Sequence, residues 1–180
     1  MSPAPEVTVA GSGNWLLGHD RVGPRVLAMI DTRYSSQVEI CDLGTSALAL
    51  LDYLHGQDLL VIIDACIGFG ATGEVLVTEP DLEATPGRGT SIHQIGPIEA
   101  LVVASHLEPH VLPKRTLLIL VETGGLSEEQ EKAACERVVE VLDREIGRLA
   151  NGQATDDPAF TRTEGRKPWQ NKQICNVSKG

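Results

Sequence analysis

Two carboxylates and an imidazole form the most chemically capable set in this chain. Asp20 lies at the mouth of Val7-Thr8-Val9-Ala10-Gly11-Ser12-Gly13-Asn14, a β-branched run leaving through a glycine-containing turn, and Asp64 closes the apolar run Leu59-Leu60-Val61-Ile62-Ile63. His93 stands shortly before Pro97, in a loop ahead of a predicted helix. Such a mixed oxygen and nitrogen set suits zinc, nickel or a similar divalent ion and leaves positions open for water or substrate. Each residue also has a plainer explanation. Asp20 could cap the first helix, accepting from N–H groups near Val22 or Gly23. His93 competes with His19, His55, His106 and His110, and single histidines are commonly surface or structural groups. Asp64 is harder to dismiss, because an ionised carboxylate beside a core needs a partner.

The elements that must position these residues follow from hydrophobic periodicity. Strands are predicted at Val7 to Ala10, Val38 to Cys41, Leu59 to Ile63, Glu74 to Val77 (less buried and peripheral) and Thr116 to Val121. Helical patterns run through Val22, Val26, Leu27 and Ile30, from Ser46 to His55, and from Pro97 to about Leu107, where proline suits the first turn because its missing N–H is unpaired there anyway. Ser127 with Gln130 resembles a capping box opening a long amphipathic helix to about Ala150. Alternating strands and helices imply right-handed crossovers. The expected fold is α/β, three layers (α/β/α) around a mostly parallel, twisted five-stranded sheet, of the phosphorylase/hydrolase-like kind. With a doubly wound order 2-1-3-4-5, ligands bind beyond the carboxyl ends of the first and third strands. That is where Asp20 and Asp64 would meet and where the His93 loop could close.

Composition narrows the function classes. The 180 residues are 42% hydrophobic and carry a net charge of −10, which disfavours nucleic acid or an anionic membrane surface as a partner. No apolar run is long enough to span a bilayer, and the first residues lack the basic and apolar regions of a signal peptide, so a cytoplasmic location is expected. Residues 1–150 read as a single domain with 10 basic and 22 acidic side chains, and residues 151–180 as a polar tail with five basic and three acidic ones. Cys41, Cys66, Cys135 and Cys175 form no CxxC pair and are expected to be reduced thiols, Cys41 and Cys66 as small buried hydrophobes. A nucleotide site fits poorly, since Leu16 occupies the place of the third glycine in GxGxxG and no P-loop lysine follows.

Four motifs in order resemble those of the [NiFe]-hydrogenase maturation endopeptidases over about residues 7–150. Gly11-Ser12-Gly13-Asn14-Trp15-Leu16-Leu17 with Asp20 and Gly23 is similar to the family's opening GxGNxLxxD(D/E)xxG. Asp42-Leu43-Gly44-Thr45 resembles its DGGT segment, Val61-Ile62-Ile63-Asp64-Ala65 its strand ending in Asp-Ala, and Ser91-Ile92-His93-Gln94-Ile95-Gly96 its S-x-H-x-x-G loop. Two departures stand out. His19 and Arg21 flank Asp20 in place of the commoner run of acidic residues followed by glycine or alanine; they could add a fourth metal donor or lower the pKa of Asp20, and the favoured expectation is that both face solvent and tune specificity. Leu43 replaces the first glycine of DGGT, which makes that loop less permissive.

The resemblance implies an endopeptidase that removes the C-terminal extension of a [NiFe]-hydrogenase large-subunit precursor after nickel insertion. Asp20, Asp64 and His93 fall at the family's three metal-contacting positions, and Asp42 at a further acidic position that orients the substrate or cleavage site. No permanent cofactor is implied: nickel arrives with the substrate, with zinc or cadmium as surrogates. The expected partner is the nickel-loaded precursor and the expected state a monomer. A non-catalytic nickel-binding chaperone would keep the same ligands without cleavage.

Overall fold

The strands of this protein carry its apolar residues in two parities, and the two parities build two cores. In a computed structural model describing residues 6–34, 36–82 and 96–152, β1 (Val7–Ser12), β2 (Val38–Gly44), β3 (Leu59–Cys66), β4 (Val75–Thr78) and β5 (Arg115–Glu122) form one sheet. Successive strand side chains point to opposite faces. Accordingly Val9, Val61, Ile63 and Ile119 pack with α1 (Val22–Ile30) and α3 (Glu128–Ala150), through Val26, Val138 and Leu142. On the other face, Ala10, Leu60, Ile62 and Leu120 pack with Leu50 of a 3-10 segment (Ala47–Tyr53) and Leu101 of α2 (Pro97–Leu107). This is the expected three-layer α/β/α architecture. Each fully buried Leu, Ile or Val contributes about 1.5–3 kcal/mol on transfer from water, which makes β1, β3 and β5 a stiff platform for the loops at their ends.

Most helix boundaries fall where the sequence places them. α2 begins at Pro97 and ends at Leu107, and α3 opens on the capping box: Gln130 N donates to Ser127 Oγ at 3.2 Å, and Ser127 N donates to Gln130 Oε1 at 3.0 Å. Strands one, two and three run further toward their carboxyl ends than expected, so Asp42 and Asp64 lie inside β2 and β3. The segment expected as a helix at 46–55 is a seven-residue 3-10 element instead.

The strand order differs from the expected 2-1-3-4-5. It is β2-β1-β3-β5-β4, parallel except for β4, which lies antiparallel on β5 at the sheet edge. Setting β4 parallel beside β3 would need a crossover of about a dozen residues or more, and only residues 67–74 separate the two strands. β5, reached through α2, takes that place instead, pairing with β3 from Leu59↔Arg115 to Cys66↔Glu122. The peripheral character of the fourth strand is retained. So is the neighbourhood of β1 and β3 on which the site depends. Among the described residues, no helix is long and apolar enough to cross a membrane.

Candidate active site

β1 and β3 are neighbours toward their carboxyl ends, their pairing running to Gly11 opposite Ile63, so Ser12 and Asp64 are the next residues on the two strands where that pairing stops. The loop from Gly13 to Arg21 then brings Asp20 back over this edge. Gly13 N donates to Gly44 O at 2.8 Å, tying the start of the loop to β2, and Asn14 N donates to Asp20 O at 2.9 Å. Two glycines of the opening motif make this closure fit. Gly13 has φ +135°, and a Cβ there would lie 1.9 Å from Asp20 O; a Cβ on Gly23 would lie 2.2 Å from Ser12 O. Any side chain at either position would push the first turn of α1 off the end of β1.

Asp20 is 5% exposed. It does not cap α1: Arg21 holds the N-cap position and no side chain makes a capping bond there. Burial pushes the Asp20 carboxyl above its ordinary value, with the Asn14 N–H and His19 pulling the other way. Asp64 is partly buried and pushed up to about 7, first by burial and then by the negative charge of Asp20, against bonds from Ala65 N–H and Ser12. Ala65 N donates to Asp64 Oδ1 at 2.9 Å. Burial and the neighbouring negative charge both disfavour ionisation of Asp64, so this carboxyl still carries its proton in part near neutral pH.

Asp42 reaches the same edge by a different route. It is exposed, and its Oδ1 accepts from Gly44 N at 2.8 Å, closing a tight turn at Gly44, whose φ is +52°. Strand alternation sets it with Val38 and Ile40, on the opposite face of the sheet from Asp64. Leu43 is buried in the core here, and Gly44 alone takes the left-handed turn. His93 lies outside the described residues. Among the described residues, no three His, Cys, Asp or Glu side chains gather closely enough to hold a metal. The described part of the site is therefore a dicarboxylate, Asp20 and Asp64.

Arg21 corrects the sequence-based expectation. It is half-buried and turned toward α3, its guanidinium gripping Glu131, with Nε donating to Oε1 at 2.8 Å and Nη2 to Oε2 at 2.8 Å. His19 is exposed, as expected. Cys41, Cys66 and Cys135 are buried and form no disulfide, and burial drives the Cys41 thiol up to about 12, so none is placed as a nucleophile.

One residue at this edge escaped the sequence reading. Glu122, 3% exposed, ends β5 opposite Cys66, and its Oε2 accepts from Gly68 N at 2.7 Å, Phe69 N at 2.8 Å and Gly70 N at 3.3 Å. Its other oxygen accepts from Gly124 N at 3.0 Å. The carboxylate thereby fixes the loop leaving β3 just beyond Asp64. The signal was present in Leu118-Ile119-Leu120-Val121-Glu122, an apolar run ending in an acid like the one that ends in Asp64.

Residues 24–145 match the family model of the hydrogenase maturation proteases. The chain belongs to the hydrogenase maturation protease family. This protease is 30% identical over 161 residues to hydrogenase expression/formation protein HupD of Thiocapsa roseopersicina, covering 83% of this chain and 70% of that protein. It is 28% identical over 160 residues to the hydrogenase 2 maturation protease of Escherichia coli, covering 77% and 96%. The solved structure of the hydrogenase maturating endopeptidase HybD from E. coli superposes with a TM-score of 0.60 at 27% identity, over 78% of this chain and 93% of that one. Membership makes the protease a hydrolase and sets aside the non-catalytic chaperone.

Proposed function

We propose that this protease removes the C-terminal extension of a [NiFe]-hydrogenase large-subunit precursor once nickel has been inserted, and that Asp20, Asp64 and His93 contact the nickel carried by that substrate. The observation supporting this most strongly is the convergence of Asp20 and Asp64, from residues far apart in sequence, on the carboxyl edge of β1 and β3. Nickel belongs to the substrate here, and zinc or cadmium serve as surrogates. The two carboxylates offer anionic oxygen ligands, and His93 adds a nitrogen donor that suits nickel. Cation docking displaces the proton that Asp64 holds near neutral pH. Hydrolysis adds water to the scissile carbonyl: a site carboxylate takes the water's proton as the C–O bond forms and hands it to the amide nitrogen as the C–N bond breaks, so the amine leaves neutral. Asp42, exposed on β2, orients the substrate from the side.

The rim suits a macromolecular partner. Trp15 (51% exposed) and Leu16 (91%) follow β1, Leu48 (37%) follows β2, and Ile67 (38%) follows β3, so these apolar side chains emerge at the carboxyl edge of three parallel strands. Large apolar groups held in water around a polar centre are characteristic of a protein-docking surface.

Mass spectrometry of the precursor after incubation with Asp20→Asn, Asp64→Asn and His93→Ala tests the assignment. Each variant is expected to leave the extension attached at times when the unmodified protease has removed it. Normal processing by Asp20→Asn and Asp64→Asn would overturn it.

A further inference from the structure

We propose that Arg21 and Glu131 are a positioning pair that holds Asp20 in place to receive the substrate's metal. This rests on the reading of Asp20 as a metal contact.

Arg21 is covalently next to Asp20 and precedes the first residue of α1, so fixing its side chain fixes the backbone that carries the Asp20 carboxylate. Its guanidinium meets Glu131 through three contacts: Nε to Oε1 at 2.8 Å, Nε to Oε2 at 3.1 Å and Nη2 to Oε2 at 2.8 Å. Such forked geometry constrains direction as well as distance, which a lysine ammonium cannot do. Glu131 is 2% exposed, and Arg25, one turn along α1, donates to its Oε1 at 3.0 Å. A carboxylate so far from water needs such partners, and losing one costs more than losing a surface pair.

The surroundings show why the loop needs this anchor. Between Asn14 and Asp20, the side chains of Trp15, Leu16 and His19 are exposed, leaving this span little core packing of its own. Its amino end is tied to β2 by Gly13 N, its two ends to each other by Asn14 N donating to Asp20 O, and its carboxyl end is tied to α3 through the Arg21 side chain. A second pair, Arg33 with Asp143, joins the turn that follows α1 to α3, at the end of α1 far from Asp20. The two pairs tie the same helices together, and only the first adjoins the site. The far pair therefore serves as an internal control for helix docking alone.

The test measures cadmium affinity of the isolated full-length protein by calorimetry, alongside precursor cleavage, at a temperature where every variant is folded by circular dichroism. Partners that orient a metal ligand typically change metal affinity by about 10- to 100-fold when removed, so Arg21→Lys and Glu131→Gln are expected to weaken cadmium binding by about tenfold or more and to slow cleavage. Asp143→Asn is expected to lower the unfolding temperature while leaving cadmium affinity within about twofold, a change too small to reflect a lost ligand contact. Arg21→Lys keeps a cation beside Glu131 and leaves Arg25 in place, so it preserves the fold should Glu131→Gln fail to. Unchanged cadmium affinity in Arg21→Lys, with Asp20→Asn weakened, would overturn the positioning role alone. Unchanged affinity in Asp20→Asn would overturn the metal contact and the positioning role with it.

Discussion

Replacing Asp64 with asparagine is expected to stabilise the metal-free protein at alkaline pH. In the folded protein, burial and the neighbouring Asp20 push this carboxyl from 3.8 to about 7. Between those values the unfolded chain has released the proton and the folded one keeps it, so stability contributed by protonated Asp64 is complete below about pH 4 and lost as pH rises through about 7. A shift of about three units corresponds to an upper bound of about 4 kcal/mol. Partial water access reduces the realised value to about 1–2 kcal/mol, or about 2–8 °C in unfolding temperature for a domain of this size. The substituted amide keeps an acceptor for the Ala65 N–H and carries no charge to repel Asp20. Thermal unfolding in a metal chelator at pH 5 and pH 8 reads the effect. The variant should gain on the unmodified protein between the two pH values and exceed it at pH 8. Equal pH dependence in the two proteins, or a variant less stable at pH 8, would refute the reasoning that Asp64 is a strained anion there.

Leu16→Glu, at a side chain 91% exposed on the rim, is expected to raise KM for the precursor by several-fold with kcat and unfolding temperature little changed, as initial-rate kinetics on purified precursor would show. Glu122→Gln is expected to cost about 1–3 kcal/mol in urea unfolding, because an amide NH₂ in place of either oxygen confronts backbone donors that now find a carboxylate. Cys66→Ser is expected to keep its cleavage rate within about twofold in the same kinetics, provided the variant is folded, since fully buried Cys66 packs in the core.

How legible this molecule is in its sequence varies with the range of the interactions involved. β3 and β5 announce themselves as continuous apolar runs because both faces are covered, and α3 because its capping box and amphipathic stripe are local. The convergence of Asp20 and Asp64 follows from a topological rule that needs only β1 and β3 to be neighbours, and that much of the strand order is legible. The placement of β4 is not, because nothing in Val75-Leu76-Val77 specifies which open edge a short strand will join. Asp42 shares a motif position with the site, yet the pleat of β2 turns it toward the other face, a distinction of one residue in register. Arg21 reads as a solvated charge because its partner lies 110 residues away, on a helix whose packing against α1 no local pattern encodes.

The decisive measurement is the C-terminal mass of the large-subunit precursor after incubation with the unmodified protease, with the precursor prepared once loaded with nickel and once free of it. Loss of the extension from the nickel-loaded precursor alone is predicted, since the substrate's metal supplies the contacts to Asp20, Asp64 and His93 that the empty precursor lacks. Equal cleavage of both precursors would contradict metal-guided recognition.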